Sequence, residues 1–160
     1  MSNFDAGDGP RAELNRVLAS ELPITQHLGI TVERADTAGV ALRLPLDPNR
    51  NHQGTMFAGS LNAVATLAGW ATVWLEVARA GLSAAVVVQD SRIDYLRPVA
   101  GDCVARSGPP PSAARERFIA TLTRHRRARL DVAVAITVGD EAAARFQGRF
   151  VALARGTATD

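Results

Sequence analysis

Lysine is absent from this chain of 160 residues, and cysteine occurs only once. The one cysteine, Cys103, excludes an intramolecular disulfide and a Cys-x-x-Cys metal motif, and it fits a reducing cytoplasm. All 18 basic residues are arginine, and with 16 acidic residues they give a net charge of +2. A net charge this small does not indicate a nucleic-acid-binding protein. We therefore expect no metal, no cofactor and no nucleic-acid partner.

Long hydrophobic runs are also scarce. The first residues contain no basic region followed by an apolar block, so they do not predict a secretory signal. One run, residues 61–78, has the length of a membrane span, but polar residues including Asn62, Thr66 and Glu76 interrupt it. We interpret it as the core helix of a cytoplasmic protein that does not enter a membrane.

The hydrophobic periodicity predicts a short helix, a hairpin, one long helix and then a series of strands. Residues 10–22 repeat apolar side chains at helical spacing before Pro23, and residues 29–46 alternate around a turn near Gly39. Residues 59–79 form the long helix, which is apolar around most of its girth. Five later segments are predicted as strands: 83–99, 103–107, 117–124, 129–138 and 144–154.

This order predicts an α+β fold in which an antiparallel sheet of five to six strands wraps around one central helix. We divide the chain into a flexible N-terminus with a lead-in helix (1–23), one domain (24–155) and a frayed C-terminus (156–160). A single helix on one sheet leaves the sheet edges exposed. We therefore expect a homodimer, or a dimer of such dimers.

The loop 51–60, NHQGTMFAGS, places polar and glycine residues directly before the long helix. Backbone N–H groups at a helix start, with the positive end of the helix dipole behind them, can stabilise an oxyanion. Gly59 has no Cβ and would let a carbonyl approach closely, while Gly54 permits a sharp turn that brings Asn51 toward the same point. Ser60 could cap the helix or contact a substrate.

Two motifs resemble those of the hotdog-fold acyl-thioesterases. They are N-x-x-G-T-x-F-A-G-S-L at residues 51–61 and I-D-Y-L-R-P-V-x-G-D at residues 93–102, and the sequence is most similar to the YiiD C-terminal type of thioesterase domain. The resemblance covers residues 25–154 and implies hydrolysis of acyl-CoA or acyl-carrier-protein thioesters. With the loop chemistry, it gives these catalytic candidates: Asn51, Gly59, Ser60 and Thr66. The substrate-binding candidates are His52, Gly54, Thr55, Phe57, Gln89, Asp90, Ser91 and Arg97.

Thr66 stands where many enzymes of this resemblance carry an aspartate or glutamate. Three alternatives remain open. Thr66 could position a water with Asn51 and a polar residue of the facing strand, for which Gln89, Asp90 and Ser91 are candidates. Glu76 could act from further along the helix, although there we expect it near the helix exit in a salt bridge. The protein could also bind acyl thioesters without hydrolysing them.

A third function, hydration or dehydration of an enoyl thioester, would need a histidine paired with a carboxylate. His52 has a suitable pKa range for a general base. No carboxylate lies at a familiar spacing from it, however, so we interpret His52 as a loop-surface residue and rank this function last.

Overall fold

The computed structural model describes residues 9–155, so most of the predicted flexible N-terminus and the predicted frayed segment 156–160 lie outside the described residues. Within 9–155 the chain forms four α-helices, one short 3₁₀ helix and six strands. Their order is α1 (Gly9–Glu21), α2 (Ile24–His27), β1 (Thr31–Asp36), β2 (Gly39–Leu44), the 3₁₀ helix (Asp47–Asn49), α3 (Ala58–Arg79), β3 (Ala84–Tyr95), β4 (Cys103–Ser107), α4 (Ser112–His125), β5 (Arg127–Val138) and β6 (Glu141–Ala154).

The strands form one antiparallel sheet in the order β1-β2-β4-β5-β6-β3. Alternation of side chains decides which face of the sheet is buried. Along β5, for example, Leu130 and Val132 are buried whereas Arg129 and Asp131 are exposed. The apolar face packs against α3, which contacts β2 through β6. The predicted α+β arrangement, an antiparallel sheet around one long helix, is confirmed.

Helix α3 is long and apolar enough to cross a membrane by length and composition alone, yet 61% of that window is buried inside the fold. This burial agrees with the interpretation of the segment as a core helix. Its sides against the sheet are fully buried, as at Val64 and Ala68. One side is only half-buried and carries Asn62, Ala63, Thr66, Leu67, Trp70 and Trp74.

The prediction of a strand over residues 117–124 was wrong, because this segment belongs to helix α4. Phe118 and Leu122 lie four residues apart and are both buried, which is the spacing of one helical face. The preceding proline run ends at Pro111, which initiates the helix, and Arg126 ends it in the left-handed conformation with φ 59°. A short apolar segment of this kind fits both the helical and the strand periodicity. Here the strong helix formers around Arg115 favour the helix.

Strand β3 lies at one end of the strand order and pairs with β6 along its length. The pairing register shifts between Val88 and Asp90, which marks a bulge at Gln89. Val87 and Val88 are 48% and 42% exposed. The β3 edge of the sheet is therefore partly apolar and open in the single chain.

Candidate active site

Asn51 holds the loop before α3 in shape. Its Oδ1 accepts the N–H groups of Gln53 and Thr55 at 2.9 and 3.2 Å. Its Nδ2 donates to Thr55 Oγ1 at 2.9 Å and to the Met56 carbonyl at 3.3 Å. The backbone N–H of Asn51 also donates to the Thr55 carbonyl at 2.7 Å. The side-chain amide is thus fully engaged in its own loop, so a direct role in binding a carbonyl stays a prediction.

The tip of this loop is exposed. Gly54 has a φ of +79°, a conformation that favours glycine, as the predicted sharp turn requires. His52 is exposed, and its Nε2 lies 3.4 Å from the amide of Gln53. No carboxylate within residues 9–155 forms an ion pair with His52. The histidine–carboxylate pair that a hydratase needs is therefore not formed within the described chain.

The start of α3 leaves two backbone donors without a partner. Phe57 precedes the helix, and its carbonyl accepts the N–H groups of Ser60 and Leu61 at 3.0 and 3.2 Å. The N–H groups of Ala58 and Gly59 donate to no atom in the part of the chain that the structure describes. Both residues are exposed, whereas Ser60, the third residue of the helix, is buried. Two free donors at the positive end of a 22-residue helix suit a partly negative oxygen.

The ring of Phe57 lies over Gly59. A Cβ atom built on Gly59 would lie 2.3 Å from Phe57 Cε1, so the absence of a side chain at Gly59 is what admits the ring. Phe57 is also 56% exposed, which is unusual for a phenylalanine. The sequence analysis expected the missing side chain of Gly59 to leave room for a substrate carbonyl. In the structure, the exposed ring of Phe57 lies next to that space.

Strand β3 reaches the same point through Tyr95, whose hydroxyl donates to the Ala58 carbonyl at 3.1 Å. Next to this contact a groove of about 400 Å³ is lined by Met56, Leu61, Tyr95, Leu96 and Val99, among others. Arg97 also borders it and forms an ion pair with Glu141. Sequence reasoning missed Tyr95, although it is the one tyrosine of the chain and stands inside the second quoted motif.

Thr66 lies two turns into α3 on its half-buried side, and Asn62 precedes it by one turn. Neither side chain forms a hydrogen bond with another residue in the described range 9–155. Half-buried polar groups without a protein partner are available to water or to a ligand. Sequence reasoning had noted Asn62 as polar but assigned it no role; the four-residue spacing to Thr66 was the available signal.

Glu76 belongs to a different environment at the far end of α3. It is 3% exposed and forms ion pairs with Arg79 and with Arg115 of α4. The expectation of a salt bridge near the helix exit is confirmed. The same end contains Thr72, whose hydroxyl donates to the Ala68 carbonyl at 2.9 Å. These polar groups are buried and satisfied, so they contribute to the structure of the core.

Gln89, Asp90 and Ser91 do not share one face of β3. Gln89 accepts from Arg129 at 2.8 Å, and Asp90 lies 3.9 Å from Arg149; both arginines belong to the exposed face of the sheet. Ser91 instead lies opposite the buried Gly148, on the side of α3. Within one chain, therefore, only Ser91 of the three is brought to the face where Thr66 lies. The substrate-binding role of Gln89 and Asp90 stays a prediction.

Cys103 is 1% exposed, and burial raises the pKa of its thiol to about 12. It remains protonated at neutral pH and is a poor nucleophile. The part of the chain described here contains no group of three or more histidine, cysteine, aspartate or glutamate side chains that could hold a metal ion.

Residues 11–154 match the model of the family described as "Putative thioesterase (yiiD_Cterm)". A protein of unknown function from Chlorobaculum tepidum is similar in structure, with 27% identity and a TM-score of 0.87 over 92% of this chain and 96% of that one. A putative thioesterase from Shewanella oneidensis has 27% identity and a TM-score of 0.83 over 92% and 99%. A probable thioesterase from Pseudomonas aeruginosa, at 19% identity, a TM-score of 0.77 and 96% and 100% coverage, shares the fold.

Proposed function

The chain belongs to the family described as "Putative thioesterase (yiiD_Cterm)" and has its hotdog fold, and from this membership we propose that it hydrolyses acyl thioesters of CoA or of an acyl-carrier protein. The observation that carries the proposal is the start of α3. Two partnerless N–H groups, those of Ala58 and Gly59, point out of an apolar helix beside a groove of about 400 Å³. These groups would donate hydrogen bonds to the carbonyl oxygen of the thioester and stabilise the negative charge that forms on it.

The reaction adds water to the carbonyl carbon and then breaks the C–S bond. A thiol has a pKa of roughly 8.5, so the leaving group departs as a thiolate without a protein acid and takes a proton from solvent afterwards. As the C–O bond forms, the attacking water loses a proton to solvent, and solvent returns a proton to the departing thiolate, so the step balances without a protein base and the water needs orientation. The Thr66 hydroxyl and the Asn62 amide, both without a partner within residues 9–155, would orient this water from one to two turns into the helix.

Asn51 and Tyr95 support the site in this proposal. Asn51 fixes the loop that precedes the donors, and Tyr95 fixes the carbonyl of Ala58 from the strand side. Ser60, buried beneath the donors, packs the first turn. Phe57, Thr55 and Arg97 line the approach of the substrate.

Release of free CoA from a series of acyl-CoAs tests the proposal, with Thr66→Val and Thr72→Val as a matched pair. Both substitutions remove one hydroxyl from the same helix and preserve shape. We expect Thr66→Val to lower kcat by roughly ten- to a hundredfold. Thr72→Val should leave it unchanged, because the Thr72 hydroxyl already binds the Ala68 carbonyl. Equal turnover in the two variants would contradict the assigned role of Thr66.

A second candidate function is binding of acyl thioesters without hydrolysis. It is favoured by one observation: the single carboxylate on α3, Glu76, is engaged with Arg79 and Arg115. Saturable binding of acyl-CoA with no release of CoA by the wild-type protein would select this function and exclude the first.

We also propose that two chains pair through β3 and that the dimer works in the cytoplasm. Support for pairing comes from β3, which is an edge strand with Val87 and Val88 exposed. Support for the compartment comes from the single buried cysteine. Sedimentation of the wild type and of a Val87→Lys, Val88→Lys variant tests the pairing; a monomeric wild type would overturn it.

A further inference from the structure

Helix α3 and strand β3 lie side by side and run in opposite directions. Two hydrogen bonds establish this arrangement. Near the start of the helix, the Tyr95 hydroxyl donates to the Ala58 carbonyl at 3.1 Å. Further along, the indole N–H of Trp70 donates to the Val86 carbonyl at 3.0 Å. The space along the half-buried side of α3 is therefore bordered by β3 from the proposed oxyanion site down to Trp70.

The polarity of this side of α3 changes along its length. Near the start it carries Asn62 and Thr66, which are polar, and beyond them it carries Leu67, Trp70 and Trp74, all half-buried. On the strand, Ile93 is half-buried and Val88, opposite the core residue Phe150, is 42% exposed. With its carbonyl at Gly59, a bound thioester would have its alkyl chain along the apolar residues Ala63 and Leu67 of this side, next to the polar pair Asn62 and Thr66.

A cavity of about 290 Å³ lies at the tryptophan end of this surface. Its lining includes Leu22, Trp70, Trp74, Leu82 and Val86, which belong to four different segments of the chain. The two indole rings stack with centroids 6.3 Å apart and planes 18° apart. The hydrogen bond to Val86 fixes the Trp70 ring in the direction of β3, so the ring forms a rigid end wall rather than an adaptable one.

We propose that the surface leading to this cavity receives the alkyl chain of the substrate, and that Trp70, at the near side of the cavity, limits its length to about twelve carbons. The proposal rests on the function proposed above, since it needs the carbonyl at the start of α3. Gly59 and Trp70 are separated by about 16 Å at the rise of an α-helix. An extended alkyl chain advances about 1.3 Å per carbon, given C–C bonds of about 1.5 Å. The distance therefore fits roughly twelve carbons.

The value of kcat/KM for saturated acyl-CoAs of even chain length from C4 to C18, below their micelle-forming concentrations, tests this inference. We expect a maximum at C12, with C4 roughly tenfold or more poorer, because each further buried CH₂ strengthens binding about fourfold until the wall is reached. Trp74 lies one turn beyond Trp70, about 6 Å further. Trp70→Ala should therefore move the maximum by about four carbons, to C16.

Three further variants keep the result unambiguous. Trp70→Phe removes the hydrogen bond to Val86 but keeps an aromatic wall, so its maximum should stay at C12. Should Trp70→Ala fail to fold, Trp70→Leu replaces it, with an expected maximum at C14. Leu96→Ala enlarges the other groove, at the helix start, and should not move the maximum. A flat profile, a maximum at C4–C6, or a shift with Leu96→Ala in place of the Trp70 variants would overturn the inference.

Failure of the hydrolase proposal gives a different result. If no acyl-CoA is hydrolysed, the same series is titrated by calorimetry as unreacted ligands. Affinity that rises to C12 in the wild type, and to C16 in Trp70→Ala, would support the alkyl-chain site even though hydrolysis had been excluded. Affinity independent of chain length would overturn the site itself.

Discussion

The polar groups at the two ends of α3 differ in whether they have hydrogen-bond or ion-pair partners within the described chain. At the far end, Glu76 is buried and ion-paired, and Thr72 donates to the backbone. At the start, the N–H groups of Ala58 and Gly59 and the side chains of Asn62 and Thr66 have no partner within residues 9–155. Burial requires a polar group to be paired, whereas a ligand site requires it to be available. One helix thus combines an end whose polar groups are paired within the fold with an end whose polar groups are available to water or a ligand.

The largest effect is expected at the far end. Glu76→Gln should lower the free energy of unfolding by about 3 kcal/mol, at the lower end of the range for a broken buried pair because Arg115 can still reach water. Turnover per folded molecule should not change. Urea unfolding checks this, with Glu13→Gln as the control, since solvent screens the exposed Glu13–Arg16 pair and its loss should cost far less. An equal loss of unfolding free energy in the two variants would contradict the view that the buried Glu76 pairs stabilise the fold more than the exposed Glu13–Arg16 pair.

The next effect concerns the start of α3 and has the opposite sign for stability. Asn62→Leu should lower kcat by roughly tenfold, which is about 1.4 kcal/mol of barrier, because it removes a group that orients the water. It should leave stability unchanged or raise it by up to about 1 kcal/mol, since an unpaired amide is replaced by an apolar side chain. Kinetics and thermal unfolding on the same preparation measure both. A destabilised Asn62→Leu would mean that Asn62 is structural, like Thr72.

A smaller effect is expected from the contact between Phe57 and Gly59. In Gly59→Ala the new Cβ must displace the Phe57 ring, whereas in a Phe57→Ala background it meets no ring. We expect the two substitutions to couple by about 0.5–1 kcal/mol in the free energy of unfolding. A double-mutant cycle measures the coupling. Strict additivity would show that the ring does not rest on Gly59 in solution.

The smallest effect lies away from both ends, at Asp102. Its hydrogen bond from Arg43, and a second from the Leu46 N–H, lower the pKa of this carboxyl below its usual 3.8. The charged form is therefore favoured by folding. Its contribution to stability is complete above pH 3.8 and is lost as the pH falls through the lowered pKa. The difference in melting temperature between wild type and Asp102→Asn should shrink between pH 5 and pH 3, and a constant difference would argue against this ion pair.

Several features of the fold and site could be predicted from sequence because they are local. The length of α3, its apolar girth and the glycine-rich loop before it are all encoded in contiguous residues, and so is the hairpin turn at Gly39. Glu76 could be placed in a salt bridge because a charge this deep in an apolar helix needs a partner. The partner itself, Arg115, could not be found, since it lies on a segment that the sequence analysis assigned to a strand.

The parts that escaped prediction depend on distant neighbours. Gln89 and Asp90 both lie on the exposed face because a bulge changes the alternation of β3, and this bulge exists only in the register with β6. The engagement of Asn51 within its own loop likewise needs the bend at Gly54, which positions Thr55 against it. Residue types indicated which groups were present, but tertiary pairing decided in which direction they point.

The pairing of β3 with β6 has a consequence for biosynthesis. Strand β3 follows α3 directly, but its hydrogen-bonding partner begins at Glu141, after β4, α4 and β5 have been made. Such a non-local pairing forms late. On the ribosome, the strand that borders the proposed site must therefore wait for its hydrogen-bonding partner until β6 has emerged. We expect nascent chains that end before β6 to depend on chaperones and to lack activity, although β6 contributes none of the proposed catalytic groups.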